Sequence, residues 1–308
     1  MKCPITYKEA DSKYSLEGLK AINRNLKELH DLPYTKGELR FEAAARSEKM
    51  SIQGVQPKLS AKLNVKNGIF ELCDRGGQYI LKPQSVDYPE LPENEDLTMR
   101  LAKTFGLEVP LHFIIYGKDG SLTYVIKRFD RKGKNKKLSV EDFAQLSGAT
   151  RDTKYRSSME QVAKIIEKYC TFPQIEKEKL FRLTLFSFIT GNEDMHLKNF
   201  SLLYEGGKVQ LSPVYDLLNT TIAIPNPIEE LALPLRAKKN KITKADIIDY
   251  FAVERLGLND KVITKAIDQL QSASSEWGTI IEASFLSESM QDKYLKLLIE
   301  RQQKLFSI

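Results

Sequence analysis

The chain has 308 residues, 42% of them hydrophobic and 29% charged, and 47 Lys and Arg against 41 Asp and Glu give a net charge of +6. That balance excludes a disordered chain, and the length suits one large domain or two lobes at roughly 100–200 residues per domain. The cysteines, Cys3, Cys73 and Cys170, stand too far apart for a structural zinc site, and no apolar run approaches the ~20 residues of a membrane span.

An odd, sparse cysteine count suits a reducing compartment, and the opening MKCPITYKEADSKYS lacks a secretory signal's apolar core. A soluble, cytoplasmic protein is expected, with no membrane contact. The mild basic balance is compatible with anionic partners but decides little.

Residues 1–50 read as an irregular or helical lead-in. Residues 58–65, KLSAKLNV, then alternate apolar and polar positions; Asn67 and Gly68 supply a hairpin turn, and 69–73, IFELC, alternates again. Gly76 and Gly77 turn the chain into a further strand over 78–83, QYILKP. An acidic, proline-containing stretch leads to a predicted helix over 95–106, closed by Gly106, where a helix end favours left-handed backbone. Two more strands follow, 111–117 and 122–130, joined through Lys118, Asp119 and Gly120. The order β-β-β-α-β-β, about five antiparallel strands with a helix after the third, is that of a kinase's small nucleotide-binding lobe.

From Ser139 onward helical spacing dominates. Ser139 with Asp142 reads as a capping box for a helix beginning VEDFAQ. Helical periodicity recurs over 157–170 and, strongly, 174–190; a hairpin over 200–212 turns on Gly206 and Gly207; further helical patterns fill 242–306. The expected fold is α+β, two-lobed and protein-kinase-like, with a lead-in over 1–50, a small nucleotide-binding lobe over 51–132 and a helical catalytic lobe over 133–308.

Phosphoryl transfer from ATP needs a carboxylate for the acceptor hydroxyl, side chains that hold Mg2+, and a cation on the phosphates. In GNEDMHLKNF, Asp194 and Asn199 have the spacing of a catalytic aspartate and a metal-binding asparagine, and Asp216 in SPVYDLL follows the next hairpin, where a second metal ligand belongs. Such a pair alone reads as turn residues; its place between helix and hairpin, with Asp216 downstream, favours catalysis. His196 and Lys198 in the same loop are expected to position the backbone or approach a phosphate.

Lys82, behind Ile80 and Leu81, is the candidate phosphate-binding lysine, with Glu95 or Glu93 as its partner. No GxGxxG occurs. The segment SIQGVQPK stands in its place, with Gln53, Gly54, Val55 and Gln56 expected over ATP, and backbone amides at Lys127, Arg128 and Phe129 are expected to meet the adenine.

Taken in order, SIQGVQPKLS, YILKP, VIKRFDR, GNEDMHLKNFSLL and LSPVYDLL resemble the HipA-type toxin kinases, bacterial serine/threonine kinases of toxin–antitoxin modules, over roughly residues 50–300. The resemblance implies Asp194 as catalytic aspartate, Asn199 and Asp216 as the metal pair, Lys82 as the ATP-contacting lysine, 127–129 as the hinge, and His196 to Asn199 as nucleotide contacts. It implies Ser51 as an inhibitory autophosphorylation site, which is physically sensible: a phosphate there adds about −1.5 to −2 charge beside the loop that must cradle ATP. The short stretch before Ser51 resembles the shortened HipT form, whose missing N-terminal subdomain is supplied by a separate small HipS-like protein; Gln53 departs from the serine that shortened members can carry.

By the same resemblance the partners are a cognate antitoxin, DNA only through that antitoxin, and a protein substrate that is an aminoacyl-tRNA synthetase. The competing readings are a small-molecule or lipid phosphotransferase, or a pseudokinase acting as an antitoxin- or DNA-binding module through the basic run 236–241. Such runs are usually solvated faces. Trp277, the single tryptophan, is expected in a core or interface.

Overall fold

A computed structural model describes residues 1–47, 56–133, 136–150 and 152–306. The chain forms two compact units. One comprises Met1–Leu97, Pro110–Arg131 and Ala283–Leu286, the other Thr98–Val109, Lys132–Glu282 and Ser287–Ile308.

In the first unit, helices α1 (Leu16–Ile22) and α2 (Lys36–Ser47) precede a five-stranded antiparallel sheet of order β2-β1-β3-β5-β4. Its strands are β1 (Leu59–Asn64), β2 (Ile69–Leu72), β3 (Tyr79–Lys82), β4 (His112–Tyr116) and β5 (Leu122–Lys127). The expected strands and their antiparallel pairing are all present. Ser15 caps α1 by accepting the Gly18 N–H at 3.1 Å. Leu19, Ile22, Leu26 and Leu39 from the lead-in are buried in one core with Leu59, Leu81, Phe113 and Val125 of the sheet. These lead-in residues therefore cover one sheet face.

The helix after β3, α3 (Leu91–Thr104), begins four residues before the predicted start. Pro92 lies in its first turn, where the missing N–H costs no hydrogen bond. Gly106 closes it at φ +82°, and the Leu107 N–H returns to the Ala102 carbonyl at 3.0 Å.

The second unit is mostly helical. Its three-stranded sheet joins β6 (Ser139–Asp142) to a hairpin of β7 (Ser201–Glu205) and β8 (Lys208–Leu211). The predicted capping box is corrected here. Ser139 belongs to β6, and Asp142 is itself the cap of the short α4 (Phe143–Leu146), exchanging hydrogen bonds with Gln145 at 2.8 and 3.1 Å. Helix α5 (Met159–Tyr169) is capped by Ser158, and α6 (Pro173–Ile189) begins with Pro at its first position.

Leu180, Phe181, Leu183, Phe186 and Phe188 bury α6 on nearly every side, which makes it the central helix of the unit. Around it lie the short α7 (Thr220–Ala223), a wide π-type helix over Asp246–Arg255, α8 (Asp260–Glu282) and α9 (Glu288–Phe306). Trp277 of α8 is fully buried, edge-on to Phe186 at 5.8 Å, and its indole N–H donates to Thr104 Oγ1 at 2.8 Å. Among the described residues no helix is long and apolar enough to cross a membrane.

Candidate active site

The loop after α6 is built from its backbone outward. Gly191 takes φ +66°, and a Cβ there would stand 2.5 Å from Leu297 Cδ2 and 2.6 Å from Thr221 Oγ1. Only glycine fits both the conformation and the space. Thr220 Oγ1 donates to the Gly191 carbonyl at 3.0 Å and accepts the Glu193 N–H at 2.7 Å, while Thr221 donates to the Glu193 carboxylate at 2.7 Å. The fully buried Asn192 accepts the Asp194 N–H at 3.2 Å.

The Asp194 carbonyl then receives the His196 N–H at 2.8 Å and the Asn199 side-chain amide at 2.7 Å. A single 3-10 turn, Leu197–Asn199, completes the loop. Tyr215 donates to the Lys198 carbonyl at 2.9 Å, with Ser201 Oγ 2.6 Å from its hydroxyl. Burial pushes the Tyr215 phenol up, so it stays a donor.

Asp194 is left with a backbone fixed on both sides and a side chain 42% exposed, open to an acceptor hydroxyl. Its Oδ1 accepts the Tyr155 hydroxyl and lies 3.8 Å from His196 Nε2. His196 Nε2 is also 2.7 Å from the Lys154 ammonium, and its Nδ1 faces the Lys198 N–H at 3.3 Å. Both neighbours are donors; an imidazolium has no lone pair for either, and a neutral imidazole receives one of the two. Burial holds its pKa below the usual histidine value, with Lys154 adding to that and Asp194 opposing it.

Asp216 sits half-buried at φ +55°, a left-handed conformation costing on the order of 1–2 kcal/mol; strain of this kind persists where surrounding structure imposes it, often at functional sites. For a divalent cation the donor chemistry fits. Asn199 spends its amide nitrogen on the Asp194 carbonyl, so its Oδ1 would be the coordinating atom, and Asp216 would add a carboxylate. Among the described residues no cluster of three or more His, Cys, Asp or Glu could hold a metal. That is compatible with Mg2+, which takes one or two carboxylates and completes its shell with phosphate and water.

The first unit carries the lysine. Lys82 Nζ lies 2.5 Å from Glu95 Oε1, with both side chains buried, and 5.6 Å from the Tyr124 ring centroid. Between the two candidate carboxylates, Glu95 is the partner. Glu93 instead receives Gln84 Nε2 at 2.7 and 2.9 Å, and burial pushes its carboxyl up to about 7. Asp96, the next residue of α3, meets His112 Nδ1 of β4 at 2.7 Å. Successive carboxylates thus tie α3 to both β3 and β4.

The hinge expectation is corrected for two of its three amides. The Lys127 N–H already donates to the Leu111 carbonyl and the Arg128 N–H to the Gln78 carbonyl, both at 2.8 Å, so these two amides are committed within the protein. The Arg128 side chain grips Asp130 through a bidentate pair at 2.9 Å, and Phe129 lies between them. Gln56 is half-buried; Ser51, Gln53, Gly54 and Val55 lie outside the described residues. In the basic run 236–241, Lys239 pairs with Glu229, and Arg236 and Lys238 with Asp246, which matches a locally balanced solvated face. Sequence reasoning did not single out Lys154, Tyr155, Thr220, Thr221 or the Asp96 and His112 pair, because none of them stands in a motif.

With this geometry in view, residues 50–277 match the HipA-like C-terminal domain. The chain belongs to the HipA-like family. It is 30% identical to a putative kinase of Haemophilus influenzae over 97% of this chain and 94% of that protein. It is 29% identical to the putative kinase Y4dM of Sinorhizobium fredii over 83% of this chain, and 29% identical to the serine/threonine-protein kinase toxin HipA of Shewanella oneidensis over 56% of it. The match spans 66% of Y4dM and 43% of that toxin.

Among solved structures, Shewanella oneidensis HipA, determined in complex with HipB and operator DNA, superposes with a TM-score of 0.69 at 23% identity, covering 90% of this chain and 72% of that one. The Helicobacter pylori proinflammatory kinase CtkA gives 0.54 at 17%, covering 73% of this chain and 86% of that one. At these identities the likeness speaks for the fold, which is α+β and kinase-like.

Proposed function

We propose that this HipA-like protein is an ATP-dependent serine/threonine protein kinase that transfers the γ-phosphate to a protein serine. The observation that carries this reading is the loop 192–199. There Asp194 presents a half-exposed carboxylate, and its backbone carbonyl is held by the same asparagine whose remaining oxygen suits a cation. Asp194 accepts the proton of the attacking hydroxyl, and Lys82, oriented by Glu95, binds phosphate. Asn199 and Asp216 would hold Mg2+, whose charge when bound offsets that of the phosphates. His196 shapes the loop through its ring and its backbone contacts.

In the finer reading the chain is the toxin of a toxin–antitoxin module in the cytoplasm, its substrate an aminoacyl-tRNA synthetase and Ser51 its inhibitory autophosphorylation site. The match across nearly the whole Haemophilus relative is compatible with a HipT-like form working with a separate HipS-like subdomain and a cognate antitoxin. The test is ATP labelling of a bacterial lysate by the purified chain, beside a phosphoproteome of cells briefly expressing it. Wild type should label protein serine, and Asp194→Asn should lose labelling and growth arrest together. Label found only in lipid or small molecules would overturn the protein acceptor. Growth arrest retained by Asp194→Asn would overturn catalysis as the basis of toxicity.

A further inference from the structure

The loop that carries Asp194 is gripped by two residues from the stretch joining α4 to α5. The Leu197 N–H donates to the Lys154 carbonyl at 3.3 Å, and the Lys154 ammonium lies 2.7 Å from His196 Nε2. The Tyr155 ring meets His196 edge-on at 4.9 Å, and its hydroxyl donates to Asp194 Oδ1. Two adjacent side chains therefore hold the base and the histidine next to it.

We infer that Lys154 and Tyr155 are positioning residues for Asp194: Tyr155 fixes the carboxylate through Oδ1 and leaves Oδ2 to the acceptor hydroxyl, and Lys154 holds the His196 ring beside it. The inference rests on Asp194 being the base of the proposed kinase.

The chemistry is consistent on each side. A phenol is a donor to a carboxylate, and a hydrogen bond to the ionised form favours that form. Burial and the Asp194 charge both raise the Tyr155 phenol pKa, so Tyr155 remains a donor throughout the working range. With 39% of Tyr155 exposed, the contact lies at the edge of the acceptor approach. The other charged groups facing this cluster are Lys239, 5.9 Å from the Tyr155 ring, Glu229 beside Tyr155, and Asp216 toward His196.

The experiment uses the full chain with Mg-ATP and reads two quantities. One is the rate of protein labelling, with ATP varied to separate kcat from KM. The other is the 13C chemical shift of the Asp194 carboxyl at one fixed pH, which needs no turnover. Tyr155→Phe should lower kcat about 10- to 30-fold with the KM for ATP within about twofold, as for a hydrogen bond to a charged group. It should also move the Asp194 carboxyl resonance, because the donor to Oδ1 is lost. Lys154→Met should lower kcat as well, and Lys154→Arg should restore it.

Unchanged kcat with an unmoved Asp194 resonance in Tyr155→Phe would overturn the inference. Faster labelling would do so too, by making Tyr155 an occupant of the acceptor position, as would phosphate found on Tyr155 itself. A resonance that moves in Tyr155→Phe while the wild-type chain labels nothing would support the positioning and count against the kinase reading instead. If Tyr155→Phe fails to fold, 3-fluorotyrosine at 155, a stronger donor of the same shape, should move the resonance, and no change there overturns the inference.

Discussion

Lys82 and Glu95 offer the most direct separation of stability from chemistry. Their side chains are 2% and 0% exposed with the charged atoms 2.5 Å apart, so exchanging Lys82 for Met strands a carboxylate away from water beside no Lys82 ammonium. Breaking a buried pair from one side costs about 3–5 kcal/mol, whereas replacing both members with apolar residues of similar size is often close to neutral. Against a typical domain stability of about 5–15 kcal/mol, the single change should bring Lys82→Met near the edge of unfolding at 25 °C.

The double variant Lys82→Met with Glu95→Leu should recover to within about 1–2 kcal/mol of wild type. It should still lack ATP-dependent labelling, because the cation proposed to bind phosphate is gone. Urea unfolding followed by circular dichroism gives the stabilities, and the same preparations give the labelling rates. A double variant as unstable as Lys82→Met, or a single change costing under about 1 kcal/mol, would refute the assignment of Lys82 and Glu95 as a desolvated pair.

Gly191→Ala adds a left-handed penalty of about 1–2 kcal/mol to overpacking of about 1–3 kcal/mol against Leu297 and Thr221. A urea midpoint close to that of wild type, with full labelling, would contradict this crowding. Glu93, raised to about 7, is protonated in the fold below that pH and ionised in the unfolded chain above about 4.5. Stability from it is therefore present at acid pH and lost as pH rises through 7. Glu93→Gln should accordingly raise the melting temperature at pH 8, by up to about 3 kcal/mol in stability, and lose that advantage below pH 5. His196 runs the other way: its lowered pKa makes the fold lose stability as pH falls below the ordinary histidine value of about 6.5. The difference in melting temperature between pH 7.5 and 5.5 should shrink in His196→Gln, and an unchanged difference would argue against a neutral buried ring.

The sheet of the first unit was readable because alternation of period two over 58–65 and 69–73, with Asn67 and Gly68 between them, leaves few other pairings. The segment 139–142 misled for a local reason. Ser139 and Asp142 are both good caps, and four residues are too few for periodicity to tell a strand from a helix start. Pairing with β7, 59 or more residues later in the chain, decides it.

Asp194 and Asn199 were legible because one loop holds both, so their spacing is their geometry. Tyr155 reaches Asp194 across 39 residues from a stretch without periodicity, and nothing local encodes that contact. The choice between Glu93 and Glu95 shows the limit in between. Two residues apart on a helix, they point roughly 200° from each other, so only one can meet Lys82. Sequence supplies the pair of candidates, and the rotational phase of α3 selects Glu95. Burial does not set that phase, since Glu93, Glu95 and Leu97 are all buried; the 2.7 Å contact of Asp96 with His112 on β4 does. The partner of Lys82 is thus fixed by a neighbouring contact, and a change that rotated α3 would separate Lys82 from Glu95 without touching either residue.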